Sequence, residues 1–326
     1  MTALHLRRPS LAGAHPAIPM TVAWGLGLAL CTALISGVSV WVNSYGVKSV
    51  PDAALYTTLK NGVAAAILLG ALAFLRPGDR RHLTPGQWRR LLLIGIVGGS
   101  IPFVLFFTGL AQVSAPGAAF IHKTLFIWVA LLAVPFLGER LGLLQVLALA
   151  ALLGGQLLLA PPNLAGAGWG TGETLIALAT LLWAVETVIA RRLLGSVPSL
   201  VVGAGRMGIG LVLLVGYLAV SGRLGGIASV SAEGWGWVFL TGILLAGYVS
   251  TWMAALQRAP ASAVTAVLVL AAVITTLLQA LANGTLPAPT SVVGALVLAA
   301  GVATVGIITA RRPEVAAGRA PTPADA

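Results

Sequence analysis

Charge is scarce in this chain: 8% of its 326 residues are Asp, Glu, Lys or Arg, with 8 acids against 19 bases. Together with 58% hydrophobic residues and a mean hydropathy of +0.99, this excludes an ordinary soluble domain, in which about 25% of residues are charged. One cysteine is present, Cys31, so neither an intrachain disulfide nor a thiolate metal site is indicated. It sits in an apolar run and is expected to pack as a small hydrophobe. Also missing are His-Glu-x-x-His, a Walker loop, Gly-x-Ser-x-Gly and paired intramembrane aspartates, since Asp52 and Asp79 both fall in loops. These absences argue against an enzyme, a metal centre and an ATP-driven pump, and no cofactor is implied.

What the chain does have is a series of long apolar runs, at about 21–42, 52–75, 91–110, 116–137, 143–160, 173–190, 198–220, 236–256, 261–282 and 289–309. A hydrocarbon core about 30 Å thick takes about 20 residues of helix, and continuous runs of that length favour helices over the short alternating strands of a barrel. The expected fold is an all-α polytopic membrane protein with ten transmembrane helices. Arg7, Arg8, Arg76, Arg80, Arg81, Arg89, Arg90, Arg140, Arg191, Arg192, Arg258, Arg311, Arg312 and Arg319 then share one side, and the opposite loops hold only Lys48 and Arg223. By the positive-inside rule both termini are cytoplasmic. The rival explanation of the net charge of +11, a nucleic-acid footprint, does not suit charges scattered over many short loops. Trp24 and Trp88 fall at the inner headgroup level, and Trp169, Trp235 and Trp237 at the outer one. Arg7 and Arg8 precede an apolar run too long for a signal-peptide core, so the first span is expected to be retained.

The two halves echo each other. "ALYTTLKNGVAAAILL" (54–69) parallels "VVGAGRMGIGLVLLVG" (201–216), which makes Lys60 and Arg206 counterparts. "GLAQVSAPGAA" (109–119) parallels "ALQRAPASAVT" (255–265), and 142–160 parallels 291–310. The expected organisation is a cytoplasmic tail 1–20, a first five-helix repeat 21–160, an outer linker 161–172, a second repeat 173–310 and a disordered Pro/Ala-rich tail 311–326. Because five is odd, the second repeat enters the membrane from the opposite face. Inverted repeats of this kind are transporter architecture, with the site near the midplane between halves that rock against each other.

On these stretches, above all "SAPGAAFIHKTLFIWVALLAVPFLGERLG" (114–142) and "GETLIALATLLWAVETVIARRLL" (172–194), the chain resembles the drug/metabolite transporter superfamily in its EamA group of ten-helix carriers. The resemblance covers 21–310 and implies a secondary transporter, with export as its direction. It also has departures. Prolines that the family often places in the fourth and ninth helices align with Phe126 and Ala271. The Gly-Glu closing the ninth helix is replaced around Asn283 and Gly284, leaving Glu139 without a counterpart, and the family's Trp-Gly of the first helix corresponds to Ser36-Gly37.

Five ionisable residues lie inside the spans, where they are costly and usually face a cavity: Lys60, His122, Lys123, Glu186 and Arg206. Lys60 is about 12 Å deep at about 1.5 Å per residue, and Thr57, Lys60, Asn61 and Ala64 share one face. The bland alternative is a packing or helix-orienting role. Arg206 sits among Gly203, Gly205, Gly208 and Gly210 at a depth matching Glu186, so an ion pair is the lowest-energy arrangement; Glu186 as a proton carrier is the alternative. His122 and Lys123 have no acid nearby in sequence, and with Lys60 they form an outer cationic pole that invites an anion. If the fourth span starts later, both lie in headgroups instead. Ser36, Ser39, Asn43, Ser100, Tyr248, Thr251, Thr275, Thr276 and Gln279 offer neutral hydrogen bonds, most of them between helices. Pro102, after Gly98, Gly99 and Ser100, is expected to kink the third span and free a carbonyl.

The substrate-binding candidates are therefore Lys60, Lys123, Asn61, Ser39 and Tyr248. Candidates for gating or coupling are Glu186, Arg206 and His122, and no catalytic or metal-binding residue is indicated. The expected function is alternating-access export of small metabolites, amino acids or other carboxylate-bearing solutes, across a bacterial-type plasma membrane. The implied partners are the bilayer and an anionic or zwitterionic solute, and no nucleic acid. Proton coupling and a homodimer through the fifth and tenth helices stay open. Two alternatives remain, a proton-coupled exporter of cationic drugs that uses Glu186 and a non-transporting membrane enzyme or scaffold.

Overall fold

The structure, a computed structural model, describes residues 20–74, 83–159 and 169–311. The expected tails (1–19 and 312–326), Arg76, Arg80 and Arg81, and residues 161–168 of the linker lie outside the described residues. The helices are α1 (Met20–Gly46), α2 (Ala53–Ala73), α3 (Pro85–Val97), α4 (Ile101–Leu110), α5 (Ala115–Lys123), α6 (Leu125–Leu137), α7 (Leu143–Leu159), α8 (Thr171–Leu193), α9 (Ser199–Val220), α10 (Ala232–Arg258), α11 (Ala261–Leu268), α12 (Leu270–Ala282) and α13 (Pro289–Ala310). Among the described residues there is no strand. Nine segments are long and apolar enough to cross a membrane, and α7, at 17 residues, is a shorter apolar helix.

Three of the expected spans are broken in two. The third breaks between α3 and α4, where Gly98 and Gly99 precede Pro102, a residue with no N–H to continue the ladder. No proline lies at the other two breaks. At Thr124 and Val269 the backbone tightens to i→i−3 bonds, Thr124 N to Ile121 O at 3.1 Å and Val269 N to Ala266 O at 3.2 Å. The Thr124 hydroxyl donates to that same Ile121 carbonyl at 2.7 Å. Half-helices of this kind are tolerated at membrane depth where they line a cavity.

Packing follows the sequence repeat. α1 packs on α10 as α8 packs on α3 and α4, α1 packs on α11 and α12 as α8 packs on α5 and α6, and α2 with α9 and α7 with α13 form self-corresponding pairs. In the last pair the helices approach so closely that a Cβ on Gly294 would overlap the Leu159 backbone nitrogen. Cys31 is exposed on the bundle surface, contrary to the expected packed position, because α1 turns that face away from α10 and α12.

The carboxylate of Glu139 ties the halves together. α6 ends at Gly138 in the left-handed region (φ 68°), a conformation glycine adopts without strain, and the chain then turns Glu139 inward. Glu139 accepts from Ala261 N at 2.6 Å, from Ser262 N at 3.2 Å and from the Ser262 hydroxyl. The N-cap of α11 is Pro260, which has no acceptor side chain, so the opposite repeat supplies the cap. Glu139→Ala is expected to cost about 1–2 kcal/mol, read as a lower midpoint in SDS-driven unfolding.

Candidate functional site

A cavity lies between α1, α2, α4, α5, the first residue of α6, α8, α9 and α10. Its charged wall is built from the repeat-related pair α2 and α9. Lys60 Nζ stands 3.8 Å from the centroid of Phe107 and 5.4 Å from that of Phe103, and the Arg206 guanidinium carbon stands 5.3 Å from Phe103. The two counterpart cations thus share one aromatic ring. Such contacts contribute about 0.5–2 kcal/mol each, far less than the cost of burying a charge outright.

Arg206 has a carboxylate partner. Its Nε lies 3.3 Å from Glu186 Oε1, and both side chains are buried. These two atoms are not aligned as a hydrogen bond, so the pair is held by charge rather than by a directed contact. Lys60, 1% exposed, has no carboxylate within 4.0 Å and no hydrogen bond among the described residues. The wall therefore carries one more basic side chain than acidic ones, Lys60 and Arg206 against Glu186. The sequence separates an inner Glu186–Arg206 pair from an outer Lys60 pole, whereas the structure brings all three to a single cavity.

The break at Pro102 positions this wall. Gly98 leaves room for Glu186, whose Cγ a Cβ on Gly98 would overlap, and the carbonyl of Gly98, freed from the helical ladder, accepts from Trp183 Nε1 at 3.0 Å. Trp183 meets Phe103, Phe106 and His122 with ring centroids 5.3, 5.4 and 5.0 Å away. A neutral wall from α1 carries Ser36, Ser39 and Asn43. The Asn43 amide donates to Ser39 O and Oγ, and its Oδ1 accepts from the Tyr56 hydroxyl at 2.8 Å. Tyr248 and Trp252 stack on α10 at 6.0 Å to complete the enclosure.

Of the residues singled out in the sequence, Lys60, Ser39, Tyr248, Glu186, Arg206 and His122 line the cavity. Lys123 and Asn61 do not. Successive helical residues point about 100° apart at about 3.6 residues per turn, so with Lys60 and His122 on the wall their neighbours turn behind it. Lys123 is 1% exposed, donates to Ser36 Oγ at 2.8 Å and lies 3.5 Å from His122 Nδ1. Asn61 is fully buried, and neither atom of its amide has a hydrogen-bond partner. Sequence reasoning missed the aromatic wall, although the i, i+3, i+4 spacing of Phe103, Phe106 and Phe107 places all three on one face.

The sequence model of the EamA-like transporter family matches residues 23–160 and again residues 170–307. The chain belongs to that family. It is accordingly a multi-pass membrane protein of a transporter family. A stretch of 74 residues, 23% of the chain, is 30% identical to the fluoride-specific ion channel FluC of Rhodospirillum rubrum, and the match spans 57% of that protein. A crystal structure superposes with a TM-score of 0.68 at 20% identity over 90% of this chain and 98% of the other, a likeness of fold. For an EamA-like transporter matched twice along its length, the cavity lies where elements of both matched segments meet, with α1, α2, α4, α5 and α6 from the first and α8, α9 and α10 from the second.

Proposed function

We propose that this EamA-like protein is a secondary transporter of small monoanionic or zwitterionic metabolites, amino acids or other carboxylates, and works by alternating access around the central cavity. The observation that carries this reading is the pairing of Lys60 and Arg206 on the Phe103 ring, with Glu186 the one acidic side chain beside them among the described residues. A buried cation without a partner is satisfied by a carboxylate that arrives with the solute. In this reading Lys60 holds the solute's carboxylate, while Ser39 and Tyr248 contact its polar and apolar parts. Glu186 and Arg206 form the pair that re-forms as the halves rock. Lys123 and Asn61 are left out of the binding set.

The topology of this reading is ten spans in two inverted five-helix repeats, with α7 as the fifth span and α3–α4, α5–α6 and α11–α12 as broken ones. The described basic residues support cytoplasmic termini, since Arg89, Arg90, Arg140, Arg191, Arg192, Arg258 and Arg311 lie on one side and Lys48 and Arg223 on the other. The membrane is a bacterial-type plasma membrane, and export is the direction the family resemblance implies.

The test is uptake by proteoliposomes of a panel of amino acids, monocarboxylates, dicarboxylates, fluoride and an organic cation. A monocarboxylate or zwitterion taken up by the wild type and lost in Lys60→Met supports the reading. Uptake of the organic cation alone, abolished by Glu186→Gln, would establish the cation-exporter alternative. A chain inert to every solute would favour a scaffold.

A further inference from the structure

His122 and Lys123 form a basic pair that the proposed substrate contacts do not use. Lys123 Nζ has two polar neighbours, Ser36 Oγ at 2.8 Å and His122 Nδ1 at 3.5 Å, and no carboxylate within 4.0 Å among the described residues. Both of those neighbours line the cavity, and Lys123 does not. The histidine ring is held by Phe106 at 5.2 Å and Trp183 at 5.0 Å, which keeps Nδ1 turned toward the lysine. Both residues stand in the last turn of α5, just before the break at Thr124, where the carbonyl end of a helix favours one positive charge.

A proton on each base would place two positive charges about 3.5 Å apart in a buried site with no carboxylate within 4.0 Å of either base among the described residues. The other ionisable groups that face this space are Lys60 from α2, Glu186 from α8, Arg206 from α9 and Tyr248 from α10; α1, α4, α6 and α12 present none. Lys60 and Arg206 add to the repulsion, and Glu186 is already engaged by Arg206. An anion entering the cavity is the one change that would make a second positive charge tolerable there.

We propose that His122 and Lys123 hold one proton between them and take up a second when an anion occupies the cavity, so that proton and anion cross together. This rests on the transport reading above. The relay is short: the proton enters through the His122 ring or the Ser36 hydroxyl, whose residues both line the cavity and neighbour Lys123, and leaves by the same groups once the cavity opens to the other side. With a monoanion the added charges cancel. Export of an accumulated metabolite would then carry a proton outward on the metabolite's own gradient.

The proton site is tested by ¹⁵N-histidine NMR of the full chain in nanodiscs, with the His122 signal assigned by its loss in His122→Gln. The expected result is a titration within the pH range over which the protein stays folded, with a midpoint that moves by about one pH unit or more in Lys123→Met, the coupling expected of directly interacting sites. Should Lys123→Met not fold, Ser36→Ala, which removes the other partner of the lysine, is expected to move the midpoint in its place. No titration in that range, or a midpoint that neither variant moves, overturns the proposal. In proteoliposomes, entry of whichever panel anion is transported should acidify a trapped pH dye in the wild type. Lys123→Met should keep counterflow exchange but lose the acidification; acidification that persists in Lys123→Met contradicts the coupling. Absence of uptake for every solute sinks the transport reading, while the NMR titration still decides whether the proton site exists.

Discussion

Lys60→Met is expected to lower anion uptake at sub-saturating concentration by about two orders of magnitude while the protein stays folded. Loss of a buried charged contact to a ligand costs about 2–5 kcal/mol, and about 1.4 kcal/mol corresponds to a factor of ten. Folding survives because Lys60 has no carboxylate partner to strand, and a methionine of similar length keeps a favourable sulfur contact with Phe107. Its repeat counterpart should behave differently. Arg206→Met leaves Glu186 buried without its cation, and breaking a buried pair from one side costs about 3–5 kcal/mol. The two variants therefore distinguish a binding cation from a paired one: flux falls in both, but the unfolding midpoint in SDS falls only in Arg206→Met.

The second large effect is structural. Gly99→Val is expected to prevent accumulation of folded protein. A Cβ at Gly99 would overlap the Arg206 carbonyl oxygen, and a Cβ on Gly210 would overlap the Gly99 carbonyl, so α9 and the α3–α4 break meet backbone to backbone. Neither side can yield without moving the helix that carries Arg206. Overpacking a tight core costs about 1–3 kcal/mol and more where only backbone could relax, so a drop of about 3 kcal/mol or more is expected. Gly216→Ala, on the same helix where a Cβ meets open space, should be neutral or stabilising by up to about 1 kcal/mol. Detergent-extracted yield and size-exclusion profile of the two variants provide the comparison.

The helical class and the approximate extent of the spans were legible in the sequence because a bilayer demands long apolar runs. The Lys60–Arg206 correspondence was legible because repeats preserve position. The kink before Pro102 was legible too, since proline lacks the donor a helix interior requires. The breaks at Thr124 and Val269 were not, because a local change from i−4 to i−3 bonding leaves no residue signature where the family's prolines are absent. Depth along a span could be estimated, but rotation about its axis could not. For that reason Lys123 and Asn61 were expected on the cavity wall and instead lie behind it. The partners of Glu139 were hidden as well, since a carboxylate that caps a helix more than a hundred residues away carries no mark in its own neighbourhood.

The proposed preference of the central cavity for an anion is tested most directly by comparing uptake of a monocarboxylate and an organic cation into proteoliposomes of the wild type, Lys60→Met and Glu186→Gln. Monocarboxylate uptake in the wild type that Lys60→Met removes, with the organic cation excluded throughout, is the predicted result. Uptake of the cation by the wild type that Glu186→Gln abolishes and Lys60→Met leaves intact would contradict it.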